Sequence, residues 1–292
     1  METIIIVIGV LIGIAYNTLT ERKVMGVMQR RVGPNTIGIW GLLQPMSDGL
    51  KLVVKESITP ISVNKLLYYI GPIGMLYISL IIWLYIPYGE GVKNNNIDIW
   101  YILGISSITI VFVIISGYGS NSKYSLLGGI RATAQMISYE VVIGIVILGP
   151  MMGLNEGPTI RKIVEMQGEV GMNGVTYWPL LVIFVISIIA ETGRVPFDLL
   201  EAESELVSGF FTEYSSLYFA YFFLAEYGNI IFMSLLTLNL FLGGHLLYLP
   251  LIISIFVISR ATLVRYRYTD LINICWMDIL PITMGYLTII AD

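Results

Sequence analysis

Four acids lie in or at the ends of long apolar segments, and they are the residues of this sequence best suited to carry chemistry. Glu140, Glu226 and Asp278 interrupt otherwise uncharged stretches, and Glu191 closes a further one. A charge near the bilayer centre costs at least ~2.5–3.5 kcal/mol, whereas a carboxyl group in apolar surroundings can keep its proton near neutral pH. One such acid could be only a structural hydrogen-bonding group. Four of them favour a path for protons through a membrane.

A second acidic feature is the loop over residues 191–213, which contains six acids and one base. If its central part is helical, Asp198, Glu201 and Glu205 share one face through their i, i+3 and i+7 spacing. Like charges so close together couple their titrations. A solvated loop is the alternative, but Pro, Phe and Leu interleave the charges, and that mixture favours the wall of a cavity.

Redox chemistry would need a cofactor that this chain cannot hold by itself. Cys275 and His245 are the only cysteine and the only histidine. An intrachain disulfide is therefore excluded, and a zinc site or an iron–sulfur cluster would need three or four such ligands. Any metal or cluster must belong to another subunit. Cys275 is expected to be a small apolar packing residue, and His245 is expected in a solvated turn.

The composition identifies an integral membrane protein. Of 292 residues, 56% are hydrophobic and 12% are charged, and the mean hydropathy is +0.81, whereas a soluble domain carries about 25% charge. So few charges could not cover the surface of a soluble globule of this size. The net charge of −4 also excludes a basic surface for nucleic acid.

Crossing about 30 Å of hydrocarbon takes about 20 apolar residues, and uncharged stretches of that length predict eight transmembrane helices in a single membrane domain over residues 1–292. The turn at Gly243 and Gly244 divides one long stretch into two. The predicted spans cover about residues 3–20, 66–89, 99–119, 131–151, 175–191, 214–236, 246–262 and 271–291. The expected fold class is therefore an all-α integral membrane protein.

The loops on the two sides of this arrangement differ strongly in charge. Of the 16 bases, 13 fall on the side that holds loops 21–65, 118–131, 191–213 and 260–270. The positive-inside rule places this side in the matrix of a mitochondrion or the cytoplasm of a bacterium. A wrong number of helices would usually remove such an asymmetry, so the charge distribution supports a count of eight.

The first of these loops contains an amphipathic segment over about residues 42–57. Its apolar residues recur every three or four positions, which predicts a helix. The apolar set is Leu43, Met46, Leu50 and Val54, and the polar set on the other side is Gln44, Asp48, Lys51 and Lys55. This helix could lie at the membrane surface with its lysines outward, or it could pack against other loops of the same chain.

Several blocks of sequence, taken in order, are typical of one family. They are Glu21-Arg22-Lys23 with Gln29-Arg30-Arg31-Val32-Gly33-Pro34-Asn35; Ser138-Tyr139-Glu140; Ala190-Glu191-Thr192 with Arg194 and Pro196-Phe197-Asp198; Glu203-Ser204-Glu205-Leu206-Val207-Ser208-Gly209-Phe210 with Glu213-Tyr214; Ala225-Glu226-Tyr227; and Arg265-Tyr266-Arg267-Tyr268. Together they closely resemble the quinone-site membrane subunits of respiratory complex I, NADH:ubiquinone oxidoreductase. The blocks span nearly the whole chain.

The resemblance implies a subunit of a proton-translocating NADH:ubiquinone reductase of the respiratory chain. It implies eight membrane helices and a tunnel for the substrate ubiquinone, which enters from the membrane beneath hydrophilic subunits. NADH, FMN and the iron–sulfur clusters are expected in those partner subunits, and this chain alone is expected to bind no cofactor and to carry no catalytic residue. Other membrane-arm subunits and membrane lipid are the further partners. The expected location is the mitochondrial inner membrane, with basic loops toward the matrix; the bacterial plasma membrane is the alternative.

The family's functional positions carry over residue by residue. Those that line the quinone tunnel fall on Arg22, Gln29, Arg31, Phe223 and Arg265. Those of the acidic chain that couples quinone reduction to proton movement fall on Glu140, Glu191, Asp198, Glu201, Glu203, Glu205, Glu213 and Glu226. Quinone enters this interpretation through the resemblance alone, whereas the residues by themselves indicate a proton path.

Three other classes of protein would also explain acids in membrane helices. A lone secondary transporter, such as a cation/proton antiporter, usually shows repeated halves with broken helices, and no such symmetry is evident here. A related membrane anchor of a hydrogenase or a chloroplast-type dehydrogenase would copurify with different electron-input subunits. A purely structural scaffold would tolerate loss of the acids.

Overall fold

The computed structural model describes residues 2–86, 98–153, 159–198 and 209–291. Every regular element in these ranges is helical, and they contain no strand. Hydrocarbon offers no water to the backbone N–H and C=O groups, and a helix satisfies these groups within a single segment. The prediction of an all-helical fold is confirmed for the described residues.

The described ranges contain twelve α-helices, numbered here in chain order. They are α1 (Glu2–Met28), α2 (Gln44–Val54), α3 (Lys65–Ile81), α4 (Asp98–Gly119), α5 (Lys123–Met151), α6 (Ile160–Val170), α7 (Asn173–Thr176), α8 (Trp178–Glu191), α9 (Ser216–Phe241), α10 (Leu249–Thr262), α11 (Tyr268–Asn273) and α12 (Leu280–Ala291). A π-helical segment, Ile274–Ile279, joins α11 to α12 in one continuous helix.

Six helices are long and apolar enough to cross a membrane, counting only the described residues. They cover Ile4–Met28, Lys65–Tyr85, Asp98–Gly119, Lys123–Met151, Ser216–Phe241 and Tyr268–Ala291. Two shorter apolar helices, Trp178–Glu191 and Leu246–Thr262, lie at the other two predicted positions. The crossing of the bilayer by all eight stays a prediction.

The packed interior is centred on α5, α8 and α9. Tyr139, Phe184 and Leu238, one from each of these helices, are fully buried. By contrast, α1 and the continuous helix α11–α12 lie at the edge, and most of their residues are not buried. Lipid tails are as apolar as leucine, so apolar side chains on these outer helices suit a membrane environment.

The first loop folds back onto the membrane helices and continues into α2. A Cβ at Gly41 would lie 2.4 Å from the carbonyl oxygen of Pro34, and the φ of Gly41 is +74°, so only glycine suits this turn. At the other end of α2, the Ser216 hydroxyl donates to the carbonyl oxygens of Leu52 and Lys55 at 2.9 and 2.6 Å. The first residue of α9 thereby holds the C-terminal end of α2.

Helix α5 also fixes the turn Gly209–Phe211, near the end of the acidic loop. Gly128 faces the backbone of this turn, and a Cβ at Gly128 would lie 2.8 Å from the carbonyl carbon of Gly209. The Ser125 hydroxyl donates to the carbonyl oxygen of Phe210 at 3.1 Å. Small residues that admit a close neighbour are typical of contacts within membranes. The turn is therefore seated directly on the helix that carries Glu140.

Replacing Gly128 by Val is expected to destabilise the protein by about 1–3 kcal/mol, because neighbouring backbone must move to admit the side chain. Thermal unfolding of the purified oxidoreductase measures this loss. Gly104→Val is the matched control, since Gly104 is exposed in α4 and no atom lies within 4 Å of a Cβ there. Equal unfolding temperatures for the two variants would contradict the close approach.

Candidate functional site

A cavity of about 440 Å³ lies between α1, α2 and α9. Its walls are mainly apolar, and its polar groups come from Arg22, Asp48, Thr18 and Tyr227. The full lining is Ile14, Ala15, Thr18, Arg22, Pro45, Asp48, Gly49, Leu52, Phe219, Ala220, Phe223, Leu224 and Tyr227. We call this cavity the chamber. An apolar space of this volume with a few polar groups is typical of a small-molecule site.

An ion pair lies at the polar end of the chamber. The Arg22 Nη1 atom is 2.7 Å from the Asp48 Oδ2 atom, and the Gln44 amide donates to Asp48 Oδ1 at 3.0 Å. The Arg22 side chain is 53% exposed, and exposed pairs of this kind are worth only about 0–1 kcal/mol. The guanidinium can therefore exchange this partner for another acceptor at little cost.

A second cavity, of about 400 Å³, follows the chamber along the same two helices. Its lining is Ile6, Gly9, Val10, Gly13, Trp83, Ile231, Leu235 and Leu249. The two linings meet at Gly13 and Ile14, which are neighbours on α1. From Ile6 to Arg22 they extend about 24 Å along that helix. The seam between α1 and α9 is thus an apolar furrow with a polar group at one end.

Glu21 forms a buried cluster with groups from three other segments. The Arg260 guanidinium donates to Glu21 Oε1 at 2.5 Å, and the Tyr227 hydroxyl donates to Glu21 Oε2 at 2.6 Å. Arg194 Nη1 lies 3.8 Å from Glu21 Oε1, and the Arg194 guanidinium lies 4.4 Å above the Tyr227 ring. Tyr227 also lines the chamber, so this one side chain joins the chamber to the cluster.

Sequence patterns do not reveal this cluster. Glu21, Arg194 and Tyr227 stand within family blocks without a predicted role, and Arg260 counts only as a basic loop residue. One signal is present: Glu21 and Arg260 each end a long uncharged stretch on the same predicted side. Two opposite charges at equivalent depths on two helices are candidates for an ion pair, but which helices are neighbours cannot be seen from the sequence.

Two of the acids predicted inside the membrane, Glu140 and Glu191, lie close to each other. The Ser106 hydroxyl donates to Glu140 at 3.2 Å, and Glu140 is near enough to Glu191 for their carboxyl groups to interact electrostatically. The Glu191 Oε2 atom is buried and has no hydrogen-bond partner among the described residues. A narrow cavity of about 20 Å³ borders Glu191, Thr109 and Asn229, a space for about one water molecule.

Glu226 and Asp198 occupy two other positions around this interior. Glu226 is buried on α9, one residue before Tyr227. Asp198 is buried after α8, and Arg265 Nη2 lies 2.8 Å from its Oδ2 atom. The Tyr266 amide donates to the Pro196 carbonyl oxygen at 3.0 Å beside this pair. A predicted tunnel residue and a predicted proton-coupling residue are therefore ion-paired with each other.

The remaining predicted site residues lie apart from the chamber. Gln29 and Arg31 are exposed beyond the end of α1, where the Arg31 Nε group donates to the Gln29 amide oxygen at 2.9 Å. The backbone carbonyl of Glu213 accepts a hydrogen bond from the Tyr68 hydroxyl at 2.8 Å. Glu201, Glu203 and Glu205 lie outside the described residues. Of the five predicted tunnel residues, Arg22 and Phe223 share the chamber.

The two single residues considered for redox chemistry differ in environment. Cys275 is buried, and its thiol donates to the Ser138 carbonyl oxygen at 3.3 Å. His245 is exposed in the turn after α9. Within the described ranges, no group of three or more His, Cys, Asp or Glu side chains could hold a metal ion.

Membrane-length helices, apolar cavities and buried ion pairs define an integral membrane protein. The family model described as NADH dehydrogenase matches residues 1–291, and the chain belongs to that family of NADH:quinone oxidoreductase membrane subunits. It is 43% identical over 286 residues to NADH-ubiquinone oxidoreductase chain 1 of Branchiostoma lanceolatum, covering 96% of this chain and 91% of the relative. It is 41% identical over 311 residues to an NADH-quinone oxidoreductase subunit of Rhodospirillum rubrum, covering 100% and 92%. The predicted family is confirmed.

Removal of the Glu21 carboxylate should destabilise the protein strongly. In Glu21→Ala, the guanidinium groups of Arg194 and Arg260 lose a buried counter-charge, and breaking such a pair typically costs ~3–5 kcal/mol. Thermal unfolding of the purified oxidoreductase measures the loss.

Glu165→Ala is the matched control, because Glu165 pairs with Arg161 at 2.9 Å on the exposed face of α6. Its loss should change stability by less than about 1 kcal/mol. If both variants unfold at the temperature of the unaltered protein, the cluster around Glu21 does not hold the helices together.

Proposed function

We propose that this chain forms the quinone access and binding chamber of a proton-translocating NADH:ubiquinone oxidoreductase. The observation that carries the proposal is the chamber between α1, α2 and α9, with Arg22 at its polar end and Phe223 in its apolar wall. A quinone has the matching chemistry, since its carbonyl oxygens accept hydrogen bonds and its ring and isoprenoid tail are apolar. The furrow between α1 and α9 offers the tail an apolar path toward lipid.

The proposal includes a definite placement in the membrane. The six long helices and the two shorter apolar helices cross the bilayer, and the basic loops face the mitochondrial matrix. In a bacterium the same loops would face the cytoplasm. The asymmetry of 13 bases against three among the 16 of the sequence supports this orientation.

Helix α2 lies at the membrane surface in this arrangement. None of its residues is buried, and Met46, Leu50 and Val53 are exposed apolar side chains. Asp48, by contrast, points to Arg22 and the chamber. Exposed apolar residues on one side and a polar contact on the other suit a helix between lipid and the loops of this chain.

Electron transfer belongs to the partner subunits in this proposal. NADH, FMN and iron–sulfur clusters are held by hydrophilic subunits that cover the chamber, and this chain holds none of them. Two electrons and two protons convert a quinone to a quinol. The contribution of this chain is to admit the quinone, to orient its carbonyl groups through Arg22, and to exclude water with the apolar walls around Phe223.

The buried acids supply the link between quinone reduction and proton movement. Tyr227 lines the chamber and donates a hydrogen bond to Glu21. A change of charge in the chamber therefore alters the electrostatic environment of a buried carboxylate through this one hydrogen bond. Glu140, Glu191 and Glu226 carry carboxyl groups further into the interior. Charges interact more strongly in such low-dielectric surroundings than in water. The carboxyl groups then relay or sense charge as quinone is reduced.

Changing the polar end of the chamber should weaken quinone binding. In Arg22→Gln, the loss of a charged hydrogen-bond donor worth roughly 1.5–3 kcal/mol should raise the KM for quinone by about tenfold or more and alter inhibitor sensitivity. Steady-state NADH:quinone kinetics of the assembled enzyme measure both. Arg161→Gln, on the exposed face of α6, is the control. An unchanged KM in Arg22→Gln would overturn the assignment of the chamber.

Neutralising the interior acids should separate assembly from activity. Glu140→Gln, Glu191→Gln and Glu226→Gln keep the shape of the side chain but remove its proton exchange, so the complex should assemble while coupled quinone reduction falls. Quinone reduction and proton uptake in proteoliposomes give the two readouts.

Glu165→Gln, outside the interior, should leave both rates unchanged. Full coupled activity in all three interior variants would remove the proton-path role. Ion flux through the purified chain without any partner would instead identify a self-sufficient transporter.

A further inference from the structure

The continuous helix α11–α12 carries an acid that the chamber and the interior do not explain. Asp278 lies in its π-helical segment, Ile274–Ile279, and is exposed. The sequence groups this residue with the interior acids, but its side chain lies on the outer face of the molecule. No hydrogen bond or ion pair joins its carboxyl group to another residue of the described ranges. π-Helical segments inside longer helices are frequent at functional positions.

Contacts with α5 fix the depth of Asp278. The Cys275 thiol donates to the Ser138 carbonyl oxygen at 3.3 Å, and a Cβ at Gly149 would lie 3.7 Å from Leu287 Cδ2. The two helices therefore run in the same direction, and Asp278 falls near the level of Glu140. It is also about 15 Å along its own helix from Tyr268 and about 20 Å from Ala291. Asp278 thus lies close to the middle of the span.

An exposed carboxylate at that depth is costly if lipid covers it. The penalty is at least ~2.5–3.5 kcal/mol for an acid at the centre of a membrane helix. The residues that follow on the same face, Ile282, Gly285 and Ile289, are also exposed. Gly285 has no atom within 4 Å of a Cβ, so the backbone of another helix can approach there. Acids in membrane spans almost always face protein or a water-filled cavity rather than lipid.

We propose that a membrane helix of another subunit covers this face and offers Asp278 a basic or hydrogen-bond-donating side chain. A second copy of this chain fits poorly, because a two-fold contact would bring two Asp278 side chains together, and like charges in a shared apolar site repel. A helix with a Lys, Arg, Asn or hydroxyl group at mid-membrane depth supplies the complementary charge or donor. The inference rests on the proposed membrane placement but not on quinone binding.

The sign of a stability change tests the inference in the assembled oxidoreductase. If lipid covers the face, Asp278→Leu removes a buried charge from hydrocarbon and makes the complex more stable. If a donor helix covers it, the same change leaves that donor unpaired, and the content of one membrane subunit in the purified complex falls several-fold. Asp278→Asn keeps a polar side chain that can still pair with the donor, so the complex should retain the subunit. Met277→Leu, next to it on the exposed surface, is the matched control.

A photo-crosslinking residue at position 277, in a chain that keeps Asp278, identifies the neighbour. The expected product joins this chain to one membrane helix that has a basic or donor residue within a turn of the crosslink. The same photo-crosslinking residue in place of Ile8, which is exposed on α1, measures the yield of lipid adducts. Adducts at position 277 with lipid alone, with a second copy or with a helix lacking a donor overturn the proposal. The proposal is also overturned if Asp278→Leu has unchanged or higher stability and the purified complex keeps its full set of subunits. Quinone kinetics are not a readout, so this failure would leave the proposed function standing.

Discussion

A single buried carboxylate, that of Glu21, joins the outer helix α1 to three other segments of the protein. Its two oxygens accept from Arg260 on α10 and Tyr227 on α9, and Arg194 after α8 lies beside them. Within lipid, apolar surface alone gives little reason for one helix to prefer another, because the tails are equally apolar. Directional polar contacts therefore set which helices meet and at what depth. Tyr227 belongs both to this cluster and to the chamber lining, so the cluster fixes one wall of the chamber.

The same cluster separates two environments on either side of Tyr227. On one side the seam between α1 and α9 is apolar and open to the surface of the protein. On the other side, guanidinium and carboxylate groups are packed together with little access to solvent. A side chain at such a boundary has an apolar body for the first environment and a hydroxyl for the second, which is the property that makes tyrosine suited to it. The chamber lining and the buried charges around Glu21 are thus joined through one hydrogen bond, that of Tyr227.

The sequence alone predicts much of the helical framework, because uncharged stretches and their charged ends locate membrane segments. It is less informative about helix ends: α5 begins at Lys123, eight residues before the predicted span, since a helix continues into water where a hydrocarbon span stops. The Glu21–Arg260 pair joins residues 239 positions apart, which periodicity cannot reveal. The face of Asp278 could not be predicted either, because Asp278 lies within a π-helical segment, where residues do not follow the angular spacing of an α-helix. Gln29 and Arg31 carry the family pattern yet lie outside the chamber, so a role for them in a quinone tunnel stays a prediction.

Helix α2 is attached unequally along its length. Its last carbonyl groups are bonded to the Ser216 hydroxyl of α9, whereas Asp48 is held through a solvent-exposed pair with Arg22. One edge of the chamber is consequently anchored to a membrane helix, and the other is compliant. A bulky ligand that took Arg22 from Asp48 would loosen the compliant edge, and occupancy of the chamber would then be mechanically linked to the tilt of α2. Filling the chamber would then move the Asp48 side of α2 relative to α9 while the hydrogen bonds at Ser216 stay in place.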